Sequence, residues 1–127
     1  MQVLVSDTSV LIDIERASLT ARLFDLPYDF VVPDILYEAE LLDWMGPDLI
    51  DLGLRVEDWV LLTGDGALRV EAEHQEIAMH GVLWVFDEME RHKICSTALL
   101  KSGLEAVRDH PRCRLPIREI NRRIARY

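Results

Sequence analysis

Two stretches of this chain repeat one pattern: "VLVSDTSVLIDI" at residues 3 to 14 and "VLLTGDGALR" at residues 60 to 69. Each is a short apolar run, then an Asp among hydroxyl or glycine residues, then a helix-like start. Short apolar strands that feed directly into helices are the mark of a parallel sheet covered on both faces. This pattern constrains the fold more than any other feature, and it makes the chain an α/β protein.

The alternation continues along the sequence. Residues 3–5 read as strand one and 9–16 as a helix that Thr8 or Ser9 can cap. Apolar residues at helical spacing run from Leu19 to Phe24, Pro27 closes that segment, and "YDFVV" at 28–32 reads as strand two. Pro33 suits the first turn of a helix, "DILYEAELLDW", that stops at Gly46-Pro47. Residues 60–62 form strand three, with a helix from about Ala67 to Glu76. His80-Gly81 reads as a turn into "VLWVF" at 82–86, taken as a fourth apolar strand, which would put Trp84 in the core. Ser96 to Asp109 is an amphipathic helix ending before Pro111. Pro116 opens a last helix, with Ile117, Ile120 and Ile124 on one face and Arg118, Arg122 and Arg126 recurring opposite. The expectation is a single domain over residues 1–127, in which residues 96–127 form a helical C-terminal extension.

The 127 residues, half of them hydrophobic and 29% charged, suffice for one ordinary core. No apolar run reaches the length of a membrane span. The first apolar stretch carries Asp7 and Asp13 and lacks the preceding bases of a signal peptide. Two isolated cysteines, Cys95 and Cys113, read as reduced thiols of a cytoplasmic protein. Charge is unevenly placed: residues 1–90 hold 20 acids and 4 bases, and residues 91–127 hold 3 acids and 10 bases. Overall acidity argues against a general nucleic-acid-coating protein, while the basic tail suits phosphates, an acidic partner, or a second copy of the chain.

In open α/β sheets, ligands sit beyond the carboxyl ends of the strands. Asp7 and Asp65 each follow a strand at that position. Carboxylates gathered there repel one another unless a proton or cation intervenes, and their hard oxygens suit Mg²⁺ or Mn²⁺. Glu38 and Glu40 add two acids on the helix after strand two. They point about 200° apart around that helix, so only one readily faces a shared site. Taken singly, each of these acids is as well read as a helix cap or a surface carboxylate.

The segments "SDTSVLIDIERA", "VPDILYEAELL" and "LLTGDGALRVEA" followed by "HGVLWVFDEM" together resemble PIN-domain proteins, including VapC-like toxins. The resemblance covers most of residues 1 to 90. It implies an α/β/α sandwich around a central parallel sheet, and a ribonuclease that works with Mg²⁺ or Mn²⁺. On that resemblance Asp7 matches the first acid, Glu38 or Glu40 the acid on the second-strand helix, and Asp65 the last. Asp7, Glu40 and Asp65 are the expected metal ligands, and Thr8, Ser9 and Thr63 the neighbouring substrate-binding hydroxyls. The resemblance also implies an RNA substrate, an antitoxin partner and a homo-oligomer.

One family feature is missing. PIN domains usually carry a further Asp on a helix opening with Ser-x-x-Asp, shortly before the strand that ends in Thr-Gly-Asp. Here "LRVED" at 54–58 runs directly into "WVLLTGD". The chain therefore resembles the family with an internal deletion near Asp58-Trp59, lacking one or more helices before strand three. Asp51, Glu57 and Asp58 are the candidate substitutes, and nothing in their spacing selects one. Two expectations follow: weakened cation binding, which favours a degenerate protein that binds a partner or RNA without cutting, and an uncovered sheet face, which favours oligomerisation.

Other chemistries fit less well. Haloacid-dehalogenase-like phosphatases share Thr-Gly-Asp but need Asp-x-Asp after the first strand, where this chain has Asp7-Thr8-Ser9. His74, His80, His92 and His110 are scattered without zinc-ligand spacing, and no Gly-x-Ser-x-Gly elbow is present.

Overall fold

The computed structural model describes residues 3–6, 8–31, 59–64, 66–74 and 76–127. In chain order these form β1 (Val3–Ser6), α1 (Thr8–Arg16), α2 (Thr20–Leu23), β2 (Asp29–Val31) and β3 (Trp59–Leu62). They continue with α3 (Gly66–His74), β4 (Ala78–His80), α4 (Val82–Arg91), α5 (Thr97–Asp109) and α6 (Ile117–Arg126). The fold is mixed α/β with a small parallel sheet. The helix expected after Pro33 lies outside the described residues.

The chain divides into two compact units. The first, Met1–Leu11 with Pro27–Val82, contains the sheet. Its strands run in the order β2-β1-β3-β4, every neighbouring pair parallel. Val60, Leu61 and Leu62 are all buried. Successive strand residues point to opposite faces, so β3 is covered on both faces. The uncovered sheet face expected from the short connection before strand three is therefore not found at β3. The outer strands β2 and β4 are three residues each, and Asp29 and Ala78 on them are exposed. Short, partly polar edges resist further strand pairing.

The second unit, Ile12–Leu26 with Leu83–Tyr127, is helical among its described residues. Its buried side chains include Ile14, Leu19, Leu23, Phe86, Met89, Leu100, Leu104 and Ile120. Gly103 on α5 lies against the end of α1: a Cβ built there would sit 3.0 Å from the Ala17 carbonyl oxygen and 3.1 Å from Ala17 Cβ. The Ser96 hydroxyl accepts from the Leu99 amide at 3.1 Å, so Ser96, read as the first residue of this helix, is its cap.

Three helices stop without glycine. Ser18, Glu76 and Lys93 take left-handed backbone angles, with φ of 59°, 56° and 53°. In each case the next amide reaches back five residues: Leu19 to Ile14, Ile77 to Ala72, and Ile94 to Met89. This is the Schellman closure, normally built on glycine.

The structure corrects two readings. Residues 82–86 are the first half of α4, and the fourth strand is Ala78–His80. Val82, Val85, Phe86 and Met89 are buried, at the i, i+3, i+4, i+7 spacing of a helix. A run of five apolar residues carries no period of its own, and here the helical stripe decides it. Trp84 accordingly lies on a helix and is half-buried. Thr8 and Ser9 both fall inside α1, so neither occupies the cap position.

Candidate functional site

The strand order marks the place where sheets of this kind bind ligands. From β1 the chain moves out to β2 at one edge, and from β3 it moves to β4 at the other. The two outgoing connections leave in opposite directions, so the β1–β3 boundary is the topological switch point of the sheet. In such sheets a crevice opens there, outside the carboxyl ends of the strands. The register sets Ser6 against Leu62, so the two strands end level with each other.

At these ends Ser6 and Thr63 are fully buried. The Thr63 amide donates to the His80 carbonyl at 3.0 Å, extending the β3–β4 ladder one residue past β3. With no exposed surface, Thr63 suits holding the loop's course more than touching a ligand. Ser9, in the first turn of α1, is exposed, and Thr8 is the first residue of that helix. Gly64 and Gly66 are exposed, and among the described residues a Cβ at either would meet nothing within 4 Å.

Asp7, Glu38, Glu40 and Asp65 lie outside the described residues, as do Asp51, Glu57 and Asp58. The structure does describe the strands that Asp7 and Asp65 follow, and these are nearest neighbours. Among the described residues, no group of three His, Cys, Asp or Glu side chains stands ready to hold a metal ion. A fit for Mg²⁺ or Mn²⁺ thus rests on the hard oxygen chemistry of the four acids.

His80 was missed as a candidate. It ends β4 opposite Leu62, at the same carboxyl edge as Ser6 and Thr63, and is half-buried. Taking "VLWVF" as the strand put His80 in a turn. Recognising the helical stripe from Val82 to Met89 would have made His80 the last residue of a strand.

A second polar constellation lies in the helical unit. Arg123 on α6 holds Asp87 on α4, and Arg126 Nη2 donates to both Asp87 Oδ1 at 3.1 Å and Glu90 Oε1 at 2.7 Å. Hydrogen bonds to Asp87 hold the Arg123 guanidinium still more firmly in its charged form. Arg126, expected to face outward, instead meets acids of its own chain. Ile120 is buried as expected, whereas Ile117 is 47% exposed.

Comparison with family models, with curated proteins and with solved structures finds no match for this chain.

Proposed function

We propose that this chain is a PIN-like protein whose site at the β1–β3 switch point acts on RNA with a divalent cation. The observation that carries the reading is the pairing of β1 with β3. The "SDTS" and "TGDG" segments leave adjacent parallel strands that end in register at Ser6 and Leu62. In this reading Asp7, Asp65 and one of Glu38 or Glu40 hold Mg²⁺ or Mn²⁺. Such a cation, when bound, activates water and offsets charge on a phosphodiester in hydrolysis. Ser9, in the first turn of the helix that follows β1, and Gly64 and Gly66, exposed after β3, lie on the two segments that leave these strands.

The absent Ser-x-x-Asp acid favours a second reading, in which the same crevice binds RNA or a partner without cutting. One fewer carboxylate weakens and loosens the cation. Both readings place the protein in the cytoplasm, which accords with two free thiols, Cys95 and Cys113. Among the described residues no helix is long and apolar enough to cross a membrane. An antitoxin-like protein and a second copy of the chain are the partners the resemblance proposes.

The test is Mn²⁺ binding by calorimetry and cleavage of a mixed RNA, each with the wild type and Asp7→Asn. Cleavage abolished by Asp7→Asn supports the nuclease. Mn²⁺ affinity unchanged by that substitution sinks the metal site, and RNA binding without cleavage leaves the second reading.

A further inference from the structure

The arginines at the end of the chain fall into two sets. Arg123, half-buried, and Arg126, itself exposed, are both paired with Asp87 or Glu90 of α4. Arg112, Arg114, Arg118 and Arg122 are all exposed. Among the described residues, Arg112, Arg114 and Arg118 have no acidic side chain within ion-pair distance. Among the described residues Arg122 has only a long contact to Glu119, at 3.7 Å, and Glu119 also meets Arg123. From residue 110 to residue 126, Glu119 is the sole acid in the sequence.

From this we infer that Arg112 and Arg114 in the turn before α6, with Arg118 and Arg122 on its outer face, form a contact strip for the phosphate backbone of single-stranded RNA. That the polyanion is RNA rests on the proposed function; the strip itself lies in the other compact unit. Three features select phosphates. All four cations are arginines, whose planar forks match phosphate oxygens two at a time. Arg118 and Arg122 are four residues apart on a helix, roughly 6 Å between Cβ atoms, so two forks reach neighbouring groups of one strand. The outer face of α6, at residues 118, 121, 122 and 125, carries no large apolar side chain, Ile117 lying on its flank. A protein interface is built around an apolar centre, whereas a polyanion needs none.

No Phe, Tyr or Trp occurs from 110 to 126, and the one imidazole, His110, is half-buried with its Nδ1 accepting from the Arg112 amide, so the strip offers no large stacking ring. Contact is then with backbone alone and independent of sequence. The chain's net charge of −9 does not forbid it. Acids farther than about 8–10 Å are largely screened at physiological salt.

The experiment measures binding of a labelled single-stranded RNA by fluorescence anisotropy, in EDTA so that cleavage plays no part. Arg118→Gln/Arg122→Gln is compared with a charge-matched control, Arg69→Gln/Lys93→Gln. The strip variant is expected to bind roughly tenfold more weakly, with the log–log salt slope reduced by about 1.4, while the control stays near wild type. All four substituted residues are exposed, and circular dichroism confirms that both variants fold. Equal losses in the two variants would overturn the strip, as would no RNA binding by the wild type at low salt. Polyglutamate competing as well as RNA would also overturn it, by assigning the arginines to acidic proteins. A lower solution mass for the strip variant alone would do the same, by assigning them to a second copy of the chain. RNA bound in EDTA but never cut with Mn²⁺ supports the strip while refuting the nuclease, so the two failures stay distinct.

Discussion

Arg123 grips Asp87 through a two-point fork: Nε donates to Oδ1 at 2.9 Å and Nη2 to Oδ2 at 2.8 Å. The partners are 36 residues apart, on α6 and α4. The Arg123 side chain is only 16% exposed, and its Nη1 also donates to the Glu119 carbonyl at 3.2 Å. This fork, with Arg126 bridging Asp87 and Glu90, ties the last helix to α4. Asp87→Ala should destabilise the protein by roughly 1–2 kcal/mol, a value reduced because Asp87 is partly solvated. Arg123→Lys should recover little, since an ammonium cannot make both contacts. Urea titration checks both, and an Asp87→Ala midpoint equal to wild type would show the fork to be idle.

Gly103 is a steric requirement of the α1–α5 contact. An alanine there gains up to about 1 kcal/mol of helix propensity but must move the Ala17 backbone, and overpacking costs about 1–3 kcal/mol. Gly103→Ala should therefore lower the melting temperature. A raised melting temperature would mean that the helix ends yield freely.

Glu76 and Lys93 hold left-handed conformations that disfavour a side chain. Glu76→Gly and Lys93→Gly should each stabilise by about 0.5 kcal/mol, relief of strain outweighing the added freedom of the unfolded chain. Alanine at either position keeps the strain and should give no gain. Equal effects of glycine and alanine would dismiss the strain.

Burial, together with the nearby carboxylates of Asp87 and Glu90, pushes the Tyr127 phenol up to about 12. The phenol is protonated in folded and unfolded chains below pH 10, where its contribution to stability is fully present. Between about pH 10 and 12 the unfolded chain loses this proton first, and stability falls. Tyr127→Phe should lack that part of the alkaline loss. The half-buried Cys95 thiol, also raised by its partial burial, adds a loss of the same sign in both proteins. Matching alkaline melting curves for wild type and Tyr127→Phe would count against the raised phenol.

The candidate site tests its own loop. Among the described residues nothing stands within 4 Å of a Cβ at Gly64 or Gly66, so alanine at either should leave stability within about 0.5 kcal/mol. A loss of RNA binding or cleavage in such a variant, at unchanged melting temperature, would locate a ligand against that backbone. Unchanged function would leave the loop as a connector.

Sequence by itself determined the local elements whose signals are local. Apolar runs at 3–5 and 60–62 and Pro116 before the last helix each act through neighbouring residues, and a strand or helix stands at each, β1 running one residue further to Ser6 and β3 starting one residue earlier at Trp59. The parallel sheet was legible because strands buried on both faces have few other arrangements. Tertiary structure decided the rest. "VLWVF" became helix because Val82, Val85, Phe86 and Met89 are buried as one stripe, which a five-residue run does not reveal. Arg123 gave no signal among six arginines, since its partner Asp87 lies 36 residues away and only packing brings α4 and α6 together. The strand order β2-β1-β3-β4 likewise comes from long-range pairing. That order, more than any motif, makes neighbours of the two strands that lead to Asp7 and Asp65.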